Sequence, residues 1–263
     1  MTSMPLVERV SFRDSDHSYH LDGKKIPSVT TILGNLSKPA LPWWAAKMGA
    51  EAVQEYLESL DPGTMIAENA GLASTCFDLA QRAHITKRNA AGARGTVVHD
   101  AIEKFHTDFF NAEPPEDEGA RKRWEAFIEW WASAGLACIS TERKIIDPDQ
   151  RYAGRLDLLL DADPGLFVCD VKTSGGVYPE FLYQNAAYAH AIEAELECEV
   201  MGTKVLWIPE GTDRLIVVER DRTEWLNDFT IFEALIPIHH DRKIIGKWTK
   251  EITDTYKKAS EIE

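Results

Sequence analysis

The sequence predicts an α/β fold in which a β-rich core follows an N-terminal helical elaboration. Up to about residue 135 most apolar residues recur at helical spacing, whereas five short β-type runs follow from residue 136 onward. A helical stretch, residues 179–196, separates the third run from the fourth. The resulting order β-β-β-α-β-β is typical of one α/β core. We expect a hairpin and helical region over residues 1–90 and the core over residues 91–263, within one domain.

The first elements are marked by turn and capping residues. Asp22-Gly23 lies between two alternating runs, which predicts a two-residue β-hairpin. Pro27 and Ser28 then predict the start of a helix. Residues 41–83 have a helical pattern that we expect to break at residues 61–63, the sequence Asp-Pro-Gly.

Two further helices precede the β-rich half. Residues 91–110 predict one helix, because four apolar side chains fall on one face: Val98, Ile102, Phe105 and Phe109. Residues 120–134 predict the other, and Gly135 is a residue type that commonly ends a helix.

Composition and charge narrow the classes of function. The 263 residues include 29 basic and 43 acidic ones, a net charge of -14, which argues against a broad electropositive surface for nucleic acid. Any contact with DNA must then be local and supported by bound cations. The sequence has neither a run of ~18 apolar residues nor a secretory signal pattern, so we expect a cytoplasmic protein without a membrane partner. The 4 cysteines lack a C-x-x-C pair, so neither a zinc knuckle nor a disulfide framework is indicated.

Charged residues occur inside two consecutive strands of the core. In the run over residues 165–172, Asp170 and Lys172 share one face, because side chains alternate along a strand. If the turn before this run is symmetric about Asp163-Pro164, Asp157 of the preceding strand stands opposite Asp170. Apolar residues then pair on the other face, with Leu158 against Cys169.

Two carboxylates on opposed positions repel each other unless a cation lies between them. Their Cβ atoms would be roughly 5 Å apart. One or two Mg²⁺ or Mn²⁺ ions fit this gap, and Lys172 would then stabilise charge on a phosphate or position water. The alternative is an exposed hairpin with solvated charges and a different register. Val168 and Leu159 on the same face disfavour that alternative.

Four motifs in order resemble those of the PD-(D/E)xK nuclease superfamily, RecB-type branch. The chain contains Gly95-x-x-x-His99, Gly154-x-x-Asp157, Asp170-x-Lys172 and Gln184-x-x-x-Tyr188. The resemblance implies a restriction-endonuclease-like core, a mixed sheet flanked by helices. The segment from Pro27 to Leu33 and the pair Trp43-Trp44 also resemble phage and mitochondrial genome-maintenance exonucleases of this branch. Fe–S members of the branch use a cysteine cluster, and the cysteine spacing here indicates that no Fe–S cluster is bound.

The resemblance also implies roles for individual residues. Asp157 and Asp170 would be the principal metal ligands, His99 would bind or neighbour the metal, and the backbone carbonyl of Val171 would complete the set. Lys172 would serve the hydrolytic water. Further residues would support the site or contact DNA: Arg94, Glu142, Thr173, Gln184 and Tyr188. By residue type alone, a position in or at the edge of a core is the commoner one for His99, Gln184 and Tyr188, and Glu142 fits a solvated position equally well.

Two sets of residues outside these motifs are candidates for DNA contact. Lys87, Arg88 and Arg94 form the most basic segment, which would either grip phosphates or form a solvated loop. Trp43-Trp44 and Trp130-Trp131 would either stack on unpaired bases or pack in a core.

These expectations combine into a metal-dependent DNA exonuclease acting on single strands or duplex ends. The resemblance places such an enzyme in DNA recombination, repair or phage DNA processing, in the host cytoplasm if a phage encodes it. A recombination or single-strand-annealing protein is a possible partner. The alternatives are a structure-selective endonuclease of the same family, a non-catalytic module that binds DNA ends, and an acidic interaction scaffold.

Overall fold

A computed structural model describes residues 6–61, 70–147, 149 and 152–260. The chain forms two compact units. One comprises Met1–Leu36 and His99–Glu263, and the other comprises Ser37–Val98. The N-terminal hairpin therefore belongs to the same unit as the sheet, whereas the sequence placed residues 1–90 together. The sequence predicted a break in the helical pattern at residues 61–63. Positions 62 and 63 lie outside the described residues.

A five-stranded mixed sheet forms the centre of the first unit, with strand order β4-β5-β6-β7-β8. Only the β6–β7 pair is parallel among these neighbours. The strands are β4 (Ala137–Ile146), β5 (Ala153–Ala162), β6 (Gly165–Lys172), β7 (Val200–Trp207) and β8 (Ile216–Asp221). Helix α5 (Pro179–Leu196) connects β6 to β7, as a parallel pair requires a crossover. The predicted α/β class and the order β-β-β-α-β-β are confirmed.

Helices cover this sheet and form its main core. Helices α1 (Val29–Leu33), α5 and α6 (Arg222–Ser260) contribute buried apolar side chains that pack with residues of β5 and β6. The largest fully buried side chain is Trp225 of α6, whose indole N–H donates to the Val200 carbonyl. On the strands, Leu159 and Val168 are fully buried in the same cluster. The alternative of a solvated β5–β6 hairpin is therefore wrong.

A smaller antiparallel sheet precedes the core, with strand order β1-β2-β3. Its strands are β1 (Val10–Arg13), β2 (Ser18–Leu21) and β3 (Lys24–Ile26). Asp22 and Gly23 form the β2–β3 turn with φ of 48° and 78°, the backbone that a type I′ hairpin needs. Ser28 accepts a hydrogen bond from the Thr31 N–H and caps α1. The predicted hairpin and helix start are confirmed.

The predicted helix over residues 91–110 is part of a longer one, α3 (Ala70–Thr107). The basic segment of residues 87–94 lies inside α3, so the loop alternative is wrong. The helix ends at Thr107 because Asp108 leaves the helical backbone, with φ of −146° and ψ of 63°. Phe109 consequently lies outside the helix and is exposed, so its place in the apolar stripe was wrong, whereas Val98 and Ile102 are buried.

Helix α4 (Glu118–Ala134) forms where the sequence predicted it. Asp117 accepts a hydrogen bond from the Ala120 N–H, and Gly135 ends the helix with a φ of 63°. Trp130 and Trp131 are partly buried and pack against Phe127.

The second unit is helical in its described part. It contains α2 (Ala40–Glu58) and the residues of α3 up to Val98. The two helices approach closely at Gly49, where a Cβ atom would lie 2.8 Å from the Ala80 carbonyl oxygen. Trp43 of α2 is 81% exposed, so the core interpretation is wrong for this tryptophan.

None of the helices, so far as the chain is described, combines the length and the apolar character that a bilayer span requires.

One partly buried histidine gives a test of the fold through pH. The His106 ring contacts Phe105, Phe127 and Trp131, with ring centroids 4.4–5.8 Å apart. Burial lowers the pKa of His106 from 6.5 to about 4. Protonation therefore favours the unfolded chain, and His106 removes stability as the pH falls from about 6.5 toward 4.

We predict that His106→Leu reduces this loss of stability in acid. Between pH 7 and pH 5 the free energy of unfolding should fall by up to about 1 kcal/mol less in the variant than in the wild type, because solvent around the partly buried ring weakens the effect. Urea unfolding at several pH values measures the difference. Parallel pH profiles for the two proteins would contradict the prediction.

Candidate metal centre

The pairing of β5 with β6 sets the geometry of the site. Five residue pairs follow the predicted register, from Ala162↔Gly165 at the turn to Leu158↔Cys169. Beyond the last pair, the Val171 N–H donates to Asp157 Oδ2 at 2.7 Å. The predicted register is confirmed over these pairs, and Asp157 and Asp170 come directly after them.

Three side chains converge on one point beside this hairpin. One ligand atom from each of His99, Glu142 and Asp157 lies within 4.8 Å of the other two. The Nδ1 atom of His99 is 3.4 Å from Asp157 Oδ2. Two carboxylates and an imidazole fit a divalent cation such as Mn²⁺ or Mg²⁺, for which carboxylate oxygens are the preferred ligands.

Each member of this group comes from a different element. His99 lies on α3, Glu142 on β4 and Asp157 on β5. The backbone of Glu142 has a φ of 46°, an uncommon value for a residue other than glycine. It stands between the pairs Thr141↔Leu158 and Arg143↔Leu156, on the part of β4 that faces Asp157. The sequence had placed Glu142 only among supporting residues, because its strained conformation has no signature in the residue pattern.

Asp170 lies next to this group and is not one of its three members. Its Oδ2 atom is 2.5 Å from Lys172 Nζ, and its Oδ1 atom accepts a hydrogen bond from Gln184 Nε2 at 3.0 Å. Only 1% of the Asp170 side chain is exposed. The sequence predicted that Asp157 and Asp170 share an ion, and that ligand pair remains a prediction. In the structure, Lys172 and Gln184 hold Asp170.

The motif residues of α5 pack against this pair of charges. Gln184 Nε2 also lies 3.1 Å from the Tyr188 hydroxyl, and Gln184 Oε1 lies 3.5 Å from Lys172 Nζ. Tyr188 lies against Gly154 of β5, where a Cβ atom would stand 2.6 Å from the tyrosine ring. The small residue at position 154 is therefore required by the ring at position 188, which connects two of the sequence motifs physically.

Burial and charge act together on the titratable groups. Burial, followed by the neighbouring charge of Asp170, raises the pKa of Asp157 well above its usual range. Burial also raises the pKa of Glu142 and lowers that of His99. For Lys172, burial lowers the pKa, but the carboxylates of Asp170 and Asp157 outweigh it and the net shift is upward. The ionised forms of Asp157 and Glu142 are therefore unfavourable by themselves, and a bound cation would stabilise them.

A small cavity lies at the centre of the group. Its volume is about 10 Å³, the least that holds one water-sized body. The carboxylate-bearing residues around it are Glu103, Glu142 and Asp157, and His99 and Val171 also line it. Val171, whose backbone carbonyl was predicted as a ligand, therefore lies at the cavity, and coordination by that carbonyl stays a prediction.

Thr173 and Arg94, which were predicted to support the site or contact DNA, lie on different parts of the chain. Thr173 follows Lys172 directly at the end of β6 and is partly buried. Arg94 lies on α3 in the second unit, and its predicted contact with DNA stays a prediction.

Two neighbours of the site were missed from sequence. The Lys172 ammonium lies 5.0 Å from the centre of the Phe181 ring on α5. Arg155 of β5 lies 3.5 Å from Glu142 and 5.3 Å from the Phe12 ring of β1. Phe181 lies one helical turn before Gln184, so the sequence indicates that the two share a face of α5. No sequence signal connects Phe12 with this site.

Comparisons with known proteins add no family assignment. No family model and no curated protein matches the chain. Among the solved structures, 18 chains match. One is the crystal structure of SSO0001, with a TM-score of 0.32 and 16% identity, covering 76% of this chain and 84% of that chain. A similarity of this degree is too low to bear on function.

The first prediction from the site concerns metal binding. Mn²⁺ should raise the midpoint of thermal unfolding of the wild type, because an ion at 100 times its Kd stabilises the folded state by about 2.7 kcal/mol. Asp157→Asn should lose most of this rise, and differential scanning fluorimetry measures it. Asp161→Asn, an exposed change on the same strand, should keep it. Equal rises in both variants would contradict the prediction.

The second prediction concerns the contact between Gly154 and Tyr188. Gly154→Ala should lower the free energy of unfolding by about 1–3 kcal/mol, because the added methyl collides with a buried ring. Gly92→Ala is the matched control. Gly92 lies within α3 with open space around it, so its change should stabilise the protein by up to about 1 kcal/mol. Denaturant unfolding measures the free energy of unfolding of both variants. If the two substitutions change it in the same direction, the interpretation is wrong.

Proposed function

We propose that this protein is a divalent-metal-dependent deoxyribonuclease of the PD-(D/E)xK type that acts as an exonuclease. The observation that carries the proposal is the convergence of His99, Glu142 and Asp157 within 4.8 Å, beside the Asp170–Lys172 pair. A divalent-cation site next to an ammonium and a buried carboxylate is suited to the hydrolysis of a phosphodiester bond.

The fold supports the same class. The sheet contains a β5–β6 hairpin, a helix and then a parallel strand, which is compatible with the restriction-endonuclease-like core that the motifs imply. The motif residues on α3, β5, β6 and α5 all face the site: His99, Asp157, Asp170, Lys172, Gln184 and Tyr188.

The residues divide the chemistry among them. His99, Glu142 and Asp157 would hold the divalent cation, which polarises a phosphate oxygen and lowers the pKa of water when bound. Lys172, held by Asp170, would orient the attacking water and stabilise the negative charge that develops on the phosphate. Gln184 fixes the Asp170 carboxylate, so the ammonium is positioned before substrate arrives. The products would be one strand end with a phosphate and one with a hydroxyl.

DNA as the substrate and exonuclease as the mode rest on the motif resemblance, as do roles in recombination, repair or phage DNA processing. The net charge of -14 limits any contact with nucleic acid to a narrow region, where bound cations would neutralise phosphates locally.

We predict that Lys172→Ala lowers the rate of DNA cleavage by about 100-fold or more, the usual effect of removing one stabilising donor from a reaction centre. The assay follows 5′- and 3′-labelled single- and double-stranded oligonucleotides with Mg²⁺ and with Mn²⁺. Lys144→Ala removes an exposed lysine of β4 and should leave the rate unchanged.

Binding in Ca²⁺ separates the alternatives. An exonuclease should lose cleavage but keep DNA affinity in Lys172→Ala, and it should spare covalently closed circular DNA. Cleavage of the circle would instead favour the structure-selective endonuclease. Wild-type protein that binds DNA ends and cleaves neither substrate would favour the non-catalytic module and overturn the proposal.

A further inference from the structure

Two aromatic side chains near Lys172, Phe181 and Tyr178, belong to none of the sequence motifs. Phe181 lies under the Lys172 ammonium, with 5.0 Å between the nitrogen and the ring centre. Tyr178 packs edge-on against Phe181, with 5.4 Å between ring centres and an angle of 80°. Two aromatic rings therefore lead from the charged centre toward solvent.

The spacing along the chain explains why these rings reach the site. Tyr178 immediately precedes α5, and Phe181, Gln184 and Tyr188 follow at intervals of three, three and four residues. Residues at these intervals lie on one face of a helix. The face that positions Asp170 through Gln184 thus continues outward as the two aromatic rings.

The outer ring is held in place but remains accessible. The Phe181 N–H donates to the Tyr178 carbonyl at 3.0 Å, which restrains the backbone, and the Tyr178 ring packs against the Phe181 ring. The loop before Tyr178 is itself anchored, because the Trp207 indole N–H donates to the Ser174 carbonyl at 2.8 Å. Yet 50% of Tyr178 is exposed. A fixed ring with a free surface suits stacking, since little ordering is needed when a ligand binds.

We propose that Tyr178, supported by Phe181, is a stacking subsite for an unpaired nucleobase. This inference rests on the proposed function, because it takes a DNA phosphate to lie at Lys172. A base joined to that phosphate through its sugar would then lie over the neighbouring rings. A paired base is stacked on both faces within a duplex, so the subsite accepts a base at a single-stranded or frayed end.

Because the protein has a net negative charge, a subsite that binds a base without positive charge would be important for DNA binding. An acidic chain repels the DNA backbone beyond its metal centre, whereas base stacking on an aromatic ring needs no positive charge. Stacking also tolerates any sequence, because every base has a π face. Tyr178 would therefore supply sequence-independent affinity next to the scissile phosphate.

The test compares Tyr178→Ala with Tyr178→Phe on single-stranded oligonucleotides. Tyr178→Ala should raise KM by about 5- to 100-fold with kcat little changed, the fold-change that stacking of one base is worth. Tyr178→Phe keeps the ring and should behave as wild type. An abasic site walked through the three terminal nucleotides should raise the wild-type KM at one position. At that position it should have little further effect on Tyr178→Ala.

A second measurement keeps this inference separate from the proposed function. Fluorescence anisotropy in Ca²⁺ gives the Kd of the same oligonucleotides without cleavage. If wild type cleaves DNA but Tyr178→Ala leaves KM, Kd and the abasic effect unchanged, the stacking subsite is wrong and the nuclease stands. If wild type binds through Tyr178 without cleaving, the subsite stands and the nuclease is wrong. If it neither cleaves nor binds through Tyr178, both are wrong.

Discussion

The antiparallel pairing of β5 with β6 is the constraint on which the candidate site depends. Side chains alternate between the faces of a strand, so a slip of one residue would turn Asp157 away from Asp170 and move each leucine of β5 to the opposite face of the sheet. The register is held by the short turn at Asp163-Pro164 and by fully buried residues on both faces, among them Leu158 and Leu159. The packing energy of the core therefore fixes the position of acids that would otherwise repel one another.

Around this hairpin, the protein tolerates local features that lower stability. Burying the Asp170 carboxylate is unfavourable unless it is paired, and Lys172 and Gln184 pair it. The left-handed backbone of Glu142 also costs on the order of 1 kcal/mol. Such features persist where surrounding strands determine the conformation, and they are more frequent at functional sites. Here β4 continues its pairing with β5 on both sides of Glu142.

A charged side chain and two aromatic rings lie next to one another at the candidate site. The Lys172 ammonium lies beside the Asp170 carboxylate, while the chain as a whole has a net charge of -14. Next to that ammonium the chain presents neutral rings, Phe181 and then Tyr178. If a nucleic acid binds here, its phosphate and its base would meet two different kinds of surface within a short distance. Electrostatic attraction would act at one point, and stacking would supply contact beside it.

The sequence by itself determined the class of fold, the element order and the hairpin register, because hydrophobic periodicity and turn residues are local signals. The β2–β3 turn, the cap at Ser28 and the pairing of Leu158 with Cys169 all followed from neighbouring residues. The ends of α3 did not follow, because the helix continues on the N-terminal side of the predicted start, to Ala70, and ends at Thr107, before the predicted end, where Asp108 leaves the helical backbone.

Only the tertiary structure decided which side chains meet. Glu142 of β4 joins His99 of α3 and Asp157 of β5, and Gln184 of α5 donates a hydrogen bond to Asp170 on the carboxylate that also contacts Lys172. These contacts depend on how separate elements pack. A pattern within one strand or helix describes the faces of that element, but it does not contain the distances between elements.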